Sequence, residues 1–199
     1  MADIKTVGVI GAGQMGSGIA HVCALAGYEV RINDVARAKI DECLSIIDRN
    51  MTRQVSRGLV SDIDKREAFA RLTIAETLAD LQGVDLVIEA ATENEETKKA
   101  ILRALQPYLD DHTLLASNTS SISITRLASV TDRPERFIGL HFMNPVPVMK
   151  LVEIIRGIAT GAETYDTAVN FARSLGKTTS NAEDFPAFIV NRVLVPMFN

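Results

Sequence analysis

Residues Val7-Gly8-Val9-Ile10-Gly11-Ala12-Gly13-Gln14-Met15-Gly16 decide the fold. Val7 to Ile10 is a strand-like run. Gly11, Gly13 and Gly16 follow with the spacing G-x-G-x-x-G around Ala12, Gln14 and Met15. Ile19, Ala20, Val22, Cys23 and Ala26 then recur at amphipathic helical spacing, ending at Gly27. The order is strand, glycine turn, helix. Gly11 permits the tight turn, Gly13 lets a pyrophosphate approach the backbone, and Gly16 lets the helix pack on the strand. The helix N-terminus faces the phosphates with free N–H groups. A second strand, Tyr28 to Asn33, ends at Asp34, close to the acidic position expected about 20 residues on. The glycine pattern alone is a weak signal, equally compatible with a tight turn that binds nothing. Joined to the strand, the helix and the terminal acid, it predicts dinucleotide binding. Asp34 favours NAD over NADP, because a carboxylate accepts from the ribose 2′-hydroxyl and repels a 2′-phosphate. Arg37 lies close enough to soften that preference.

Working outward, the chain keeps alternating. Ala36 to Gly58 predicts a long helix on the apolar positions Ile40, Leu44, Ile47, Met51 and Val55. Ser61 caps a further helix with Asp62 and Asp64 in its first turn. Strands are expected at Leu72 to Ala75, Asp85 to Ala90, Thr113 to Ala116, Phe137 to His141, Leu151 to Ile155 and Lys177 to Ser180. Helices are expected at Glu93 to Leu105 and Ala162 to Leu175. Asp184 with Pro186 predicts one more helix start, followed by the apolar residues Phe188, Ile189, Leu194, Val195 and Phe198. The fold class is α/β: a Rossmann-like, doubly wound, mostly parallel sheet. The last segment is apolar on more than one face, so it is expected to dock onto its own domain or onto a second copy.

The totals narrow the function. The 199 residues carry a net charge of −4, which gives no general attraction to nucleic acid. No apolar run is long enough to span a bilayer. Met-Ala-Asp-Ile-Lys leads within a few residues into the first strand, so a cytoplasmic location without a targeting peptide is expected. Cys23 and Cys43 lack metal-ligand spacing and read as reduced packing residues, and no metal is expected.

A second stretch carries chemistry: His141-Phe-Met-Asn-Pro-Val-Pro-Val-Met-Lys-Leu-Val-Glu153. A histidine at the end of one strand and a carboxylate on the next can meet across the turn. The carboxylate then fixes the imidazole tautomer and stabilises its protonated form, which makes a general base. Beside a redox cofactor, such a base suits oxidation of a secondary alcohol. Either residue alone would read as an ordinary strand-end or surface group.

Together with Ser117-Asn-Thr-Ser-Ser121 and Phe188-Ile-Val-Asn-Arg192, these motifs resemble the 3-hydroxyacyl-CoA dehydrogenase family along the whole chain. The resemblance is greatest to its bacterial members that act on 3-hydroxybutyryl-CoA. It implies an NAD-dependent oxidoreductase of lipid metabolism with His141 as catalytic base and Glu153 as its partner. It implies that Ser120 contacts both substrate oxygen and cofactor, and that Asn191 is a catalytic asparagine. Gly11, Gly13, Gln14, Met15, Gly16, Asp34, Glu93, Lys98 and Asn144 would contact the cofactor. It further implies residues 1–184 as the NAD-binding and catalytic domain, and 185–199 as the start of an incomplete, all-α second domain. Family members continue with further helices that carry much of a dimer interface, so a homo-oligomer is expected of the full-length protein.

The acyl-CoA partner rests on less. Arg49, Arg53 and Arg57 recur every four residues and form a basic stripe that suits coenzyme A phosphates or, equally, a solvated face. The family comparison places Asn50 and Arg57 as substrate contacts. Two other readings stay open: a dehydrogenase of a free hydroxy acid on the same fold, and a non-catalytic dinucleotide-binding or structural relative.

Overall fold

The structure is a computed structural model and describes residues 4–197. Eight strands form one sheet: β1 (Thr6–Ile10), β2 (Glu29–Asn33), β3 (Leu72–Ala75), β4 (Leu86–Glu89), β5 (Leu114–Ser117), β6 (Phe137–Phe142), β7 (Leu151–Arg156) and β8 (Thr178–Glu183). Their spatial order is β3-β2-β1-β4-β5-β6-β7-β8. Every neighbouring pair is parallel except β6 and β7, which the turn after His141 reverses. Among the described residues seven α-helices accompany them: α1 (Gln14–Leu25), α2 (Arg37–Ser56), α3 (Asp62–Ala70), α4 (Glu95–Leu105), α5 (Ile124–Ala128), α6 (Ala162–Ser174) and α7 (Val190–Met197).

The strands alternate side chains between two cores, as a pleated strand must. Val7 and Val9 of β1 join Ile19, Ile40 and Ala168 on the face of α1, α2 and α6. Ile10 joins Leu102 and Leu127 on the face of α4 and α5. Both sheet faces are covered, which explains why the central strands read as continuous apolar runs.

The Rossmann-like expectation agrees with this architecture, and several local expectations are corrected. Asn94 caps α4 by accepting from Thr97 N, so the helix starts at Glu95 and Glu93 stays in the loop before it. The polar run after β5 ends in α5, a helix too short to announce itself by periodicity. β8 runs on to Glu183. Asp184 does cap a helix, but a distant one: its carboxylate accepts from the N–H groups of Ile124 and Thr125, both at 2.8 Å, and from the Ser123 hydroxyl. The segment after it forms a turn in which Ala187 (φ 64°) and Phe188 (φ 50°) are left-handed, and α7 begins only at Val190. Phe188 is buried within the domain's own core, while Ile189, Val193, Leu194 and Met197 stay exposed. Phe198 lies outside the described residues.

Candidate active site

The cleft opens at the carboxyl ends of β1 and β4, where the winding direction of the sheet reverses because β1 pairs with both β2 and β4. A cavity of about 690 Å³ lies there, lined by Gly11, Gly13, Met15, Asp34, Ala90 and Thr92 among others. Two glycines are demanded by the chain itself. Gly11 has φ +99°, and a Cβ on it would sit 2.6 Å from the Ala90 carbonyl oxygen. A Cβ on Gly16 would sit 1.7 Å from the Gly11 oxygen. Gly13 differs: a Cβ there meets nothing within 4 Å. The open space beside Gly13, at the uncapped start of α1, suits an approaching pyrophosphate. The residues present therefore fit a dinucleotide.

Asp34 accepts from Ala12 N at 2.8 Å and from Ala36 N at 3.2 Å, so its carboxylate is fixed at the cavity wall. Arg37 is drawn into ion pairs with Asp41 and Glu76.

A second cavity, about 490 Å³, is lined by Glu93, Ser120, His141, Asn144 and Asn191, with Met15 and Asn118 beside them. The antiparallel register sets His141 opposite Glu153. Imidazole Nδ1 and carboxylate Oε2 are 2.7 Å apart. Glu153 is wholly buried, and its other oxygen accepts from Ile189 N (3.0 Å) and Val190 N (2.9 Å) at the start of α7. Burial pushes the Glu153 carboxyl up, but His141 and the two N–H groups outweigh it, leaving the group below the usual glutamate range. The Phe188 ring stands 6.0 Å from the His141 ring, centre to centre. With Nδ1 held by a carboxylate, Nε2 is the nitrogen left for a proton transfer.

Glu93 organises the serine turn. Its Oε1 accepts from Ser120 N (2.8 Å), Ser120 Oγ (3.0 Å) and Thr119 Oγ1 (2.6 Å). Asn191 Nδ2 donates to the Ser120 carbonyl at 3.2 Å, which joins α7 to the same turn. Burial raises the Glu93 carboxyl, but the Thr119 and Ser120 donors and Lys98 bring it below its ordinary value.

Three expected residues sit differently from the rest. Lys98 is not among the residues lining either cavity; it is buried beneath them against Glu89. Asn50 lines a third cavity of about 450 Å³ with Lys39, Arg49 and Asn144. Arg57 does not line it; it ends α2 as an exposed C-cap residue. The sequence reading missed Glu89 and Asn118. Glu89 carried a signal, a lone carboxylate inside an otherwise apolar strand. Asn118 accepts from Phe142 N at 2.9 Å and ties the serine turn to β6.

Comparison with known proteins converges on one family. Residues 6–185 match the family described as 3-hydroxyacyl-CoA dehydrogenase, NAD binding domain. A 3-hydroxybutyryl-CoA dehydrogenase of Bradyrhizobium diazoefficiens is 56% identical over 198 residues, covering 100% of this chain and 68% of that protein. A probable 3-hydroxybutyryl-CoA dehydrogenase of Bacillus subtilis is 46% identical, over 99% of this chain and 69% of its own length. Among solved structures, (S)-3-hydroxybutyryl-CoA dehydrogenase from Ralstonia eutropha superposes with a TM-score of 0.96 at 43% identity, covering 99% of this chain and 70% of that one. Glycine turn, buried dyad and relatives agree, and the chain belongs to the NAD-dependent 3-hydroxyacyl-CoA dehydrogenase family.

Proposed function

We propose that this protein interconverts a short-chain 3-hydroxyacyl-CoA and its 3-keto form, with His141 as the proton-transfer group. The observation that carries the reading is the His141–Glu153 pair on a cavity shared with Ser120 and Asn191, next to the glycine turn. NAD, when bound, accepts or returns the hydride. In the oxidising direction His141 Nε2 takes the proton of the C3 hydroxyl and gives it back in the other. Glu153 keeps the Nδ1 proton in place and stabilises the imidazolium that forms. Ser120 and Asn191 hold the reacting oxygen where its charge changes. Asp34, Gly11, Gly13 and Glu93 hold the cofactor. Lys39 and Arg49, beside Asn50 on the third cavity, supply cations for the phosphates of coenzyme A. A division of the chain after residue 184 belongs to the same reading, and the exposed strip on α7 supports it.

The test is the rate with acetoacetyl-CoA and with free acetoacetate, each with NADH and NADPH. Turnover of acetoacetyl-CoA with NADH, and little with NADPH or the free acid, is expected. Equal or better use of acetoacetate would favour the free hydroxy acid reading. NADH binding without turnover of either substrate would favour a non-catalytic one.

A further inference from the structure

The floor beneath both cavities holds a buried ion pair that the proposed chemistry does not use. Glu89, the last residue of β4, is 0% exposed, and Lys98 of α4 is 1% exposed. The ammonium reaches both carboxylate oxygens, at 2.8 and 2.9 Å. Such a pair is no strong source of stability, because two buried charges lose hydration that their attraction must offset. Its partners indicate another use. Glu89 Oε1 accepts from Ala91 N at 2.8 Å, and Lys98 Nζ reaches the Ala91 carbonyl at 3.4 Å. The peptide groups on both sides of Ala91 are therefore held, and Ala91 lines both the cofactor cavity and the catalytic cavity. Glu89 Oε2 accepts from the Ser117 hydroxyl at 2.7 Å, at the root of the serine turn. Lys98 also stands 3.7 Å from Glu93 Oε2, while the other oxygen of Glu93 gathers Thr119 and Ser120.

We propose that Glu89 and Lys98 are positioning residues: the pair fixes the Ala91 wall and anchors Glu93, and through Glu93 it sets Ser120. The chain of contacts runs Glu89, Lys98, Glu93, Ser120, from the sheet core to the reacting oxygen. Glu89 is its root, because it alone meets the ammonium, the wall and the start of the serine turn. The rate consequence rests on the dehydrogenase reading; the binding consequence does not.

The deciding variant is Glu89→Leu combined with Lys98→Met, which removes both charges and fills similar volume. A merely structural pair keeps NADH affinity under that exchange, even if the unpaired Ala91 N–H and Ser117 hydroxyl lower the melting temperature. A positioning pair does not. The folded double variant should bind NADH about tenfold more weakly, the scale of one lost charge-assisted hydrogen bond. Its acetoacetyl-CoA reduction at saturating NADH should fall about 10²-fold, the scale of a 1 Å misplacement. A folded double variant with wild-type NADH affinity would overturn the proposal. Should it fail to fold, Glu89→Gln decides. That change keeps the shape and leaves Glu93 as the nearest carboxylate to Lys98, drawing it from the serine turn. Unchanged NADH affinity in folded Glu89→Gln would again overturn the proposal. If the unaltered chain binds NADH but reduces no acetoacetyl-CoA, the proposed function fails, while the affinity comparison still tests the pair.

Discussion

The turn between β1 and α1 offers a ligand bare backbone, with three glycines inside six residues, whereas the cavity at the end of β6 is lined by side chains gathered from as far apart as Glu93 and Asn191. Each end also has a buried histidine. His141 has a carboxylate 2.7 Å from Nδ1. Among the described residues, His21, on α1, has the Gln54 amide at Nε2 (2.9 Å) and no partner at Nδ1. The same residue type is thus equipped for proton transfer at one end and kept as neutral packing at the other. What separates them is the neighbour that the fold supplies.

The contrast can be broken by substitution. His141→Ala should lower turnover by about 10² to 10⁴, with NADH affinity nearly unchanged, in steady-state kinetics set beside calorimetric titration. A variant with near-normal turnover would strip the β6–β7 end of its chemical role. At the other end the glycines should divide by cause. Gly16→Ala drives a Cβ into the Gly11 carbonyl, and about 3 kcal/mol of stability should be lost in denaturant unfolding. Gly13→Ala meets no protein atom, so melting should hold while NADH affinity falls about tenfold. If Gly13→Ala bound NADH normally, the open space beside it would not be the pyrophosphate site.

Smaller effects sharpen the comparison further. Ala187 holds a left-handed conformation that suits glycine better, so Ala187→Gly should raise stability by about 1 kcal/mol in thermal unfolding. A loss instead would mean that the turn before α7 is not strained. The smallest effect is the pH response of His21. Burial lowers its pKa from 6.5, the Gln54 hydrogen bond opposes this, and Lys177 adds to the lowering. Below about pH 6.5 the unfolded chain takes up a proton that the folded chain refuses, so stability should decline as pH falls through that value. His21→Gln should flatten this part of the stability profile. An identical slope in the variant would assign it to other groups.

The same contrast governs what could be read from the chain alone. The β1–α1–β2 unit was legible because its cues, the glycine spacing, Asp34 and the apolar periods, lie within 34 residues and act through local geometry. The His141–Glu153 pairing was legible because one reversal links two strands. Asp184 was read as a cap, and it is one, yet its helix lies 60 residues back; no local pattern encodes that choice. The left-handed Ala187 was hidden because alanine carries no mark of positive φ. Lys98 matched its family position, but burial against Glu89 depends on how α4 settles on the sheet.

Glu153 gives one oxygen to the imidazole and the other to the N–H groups of Ile189 and Val190 at the start of α7, so the helix and the proton share a ligand. Thermodynamic reciprocity then applies: whatever α7 does for the carboxylate's charge, the charge does for α7. Above the ordinary glutamate range the anion clasps the helix. As acid titrates it through its depressed pKa the clasp opens, and amide exchange at Ile189 and Val190 should quicken before the sheet melts. The carboxylate is in this sense a latch whose key is a proton.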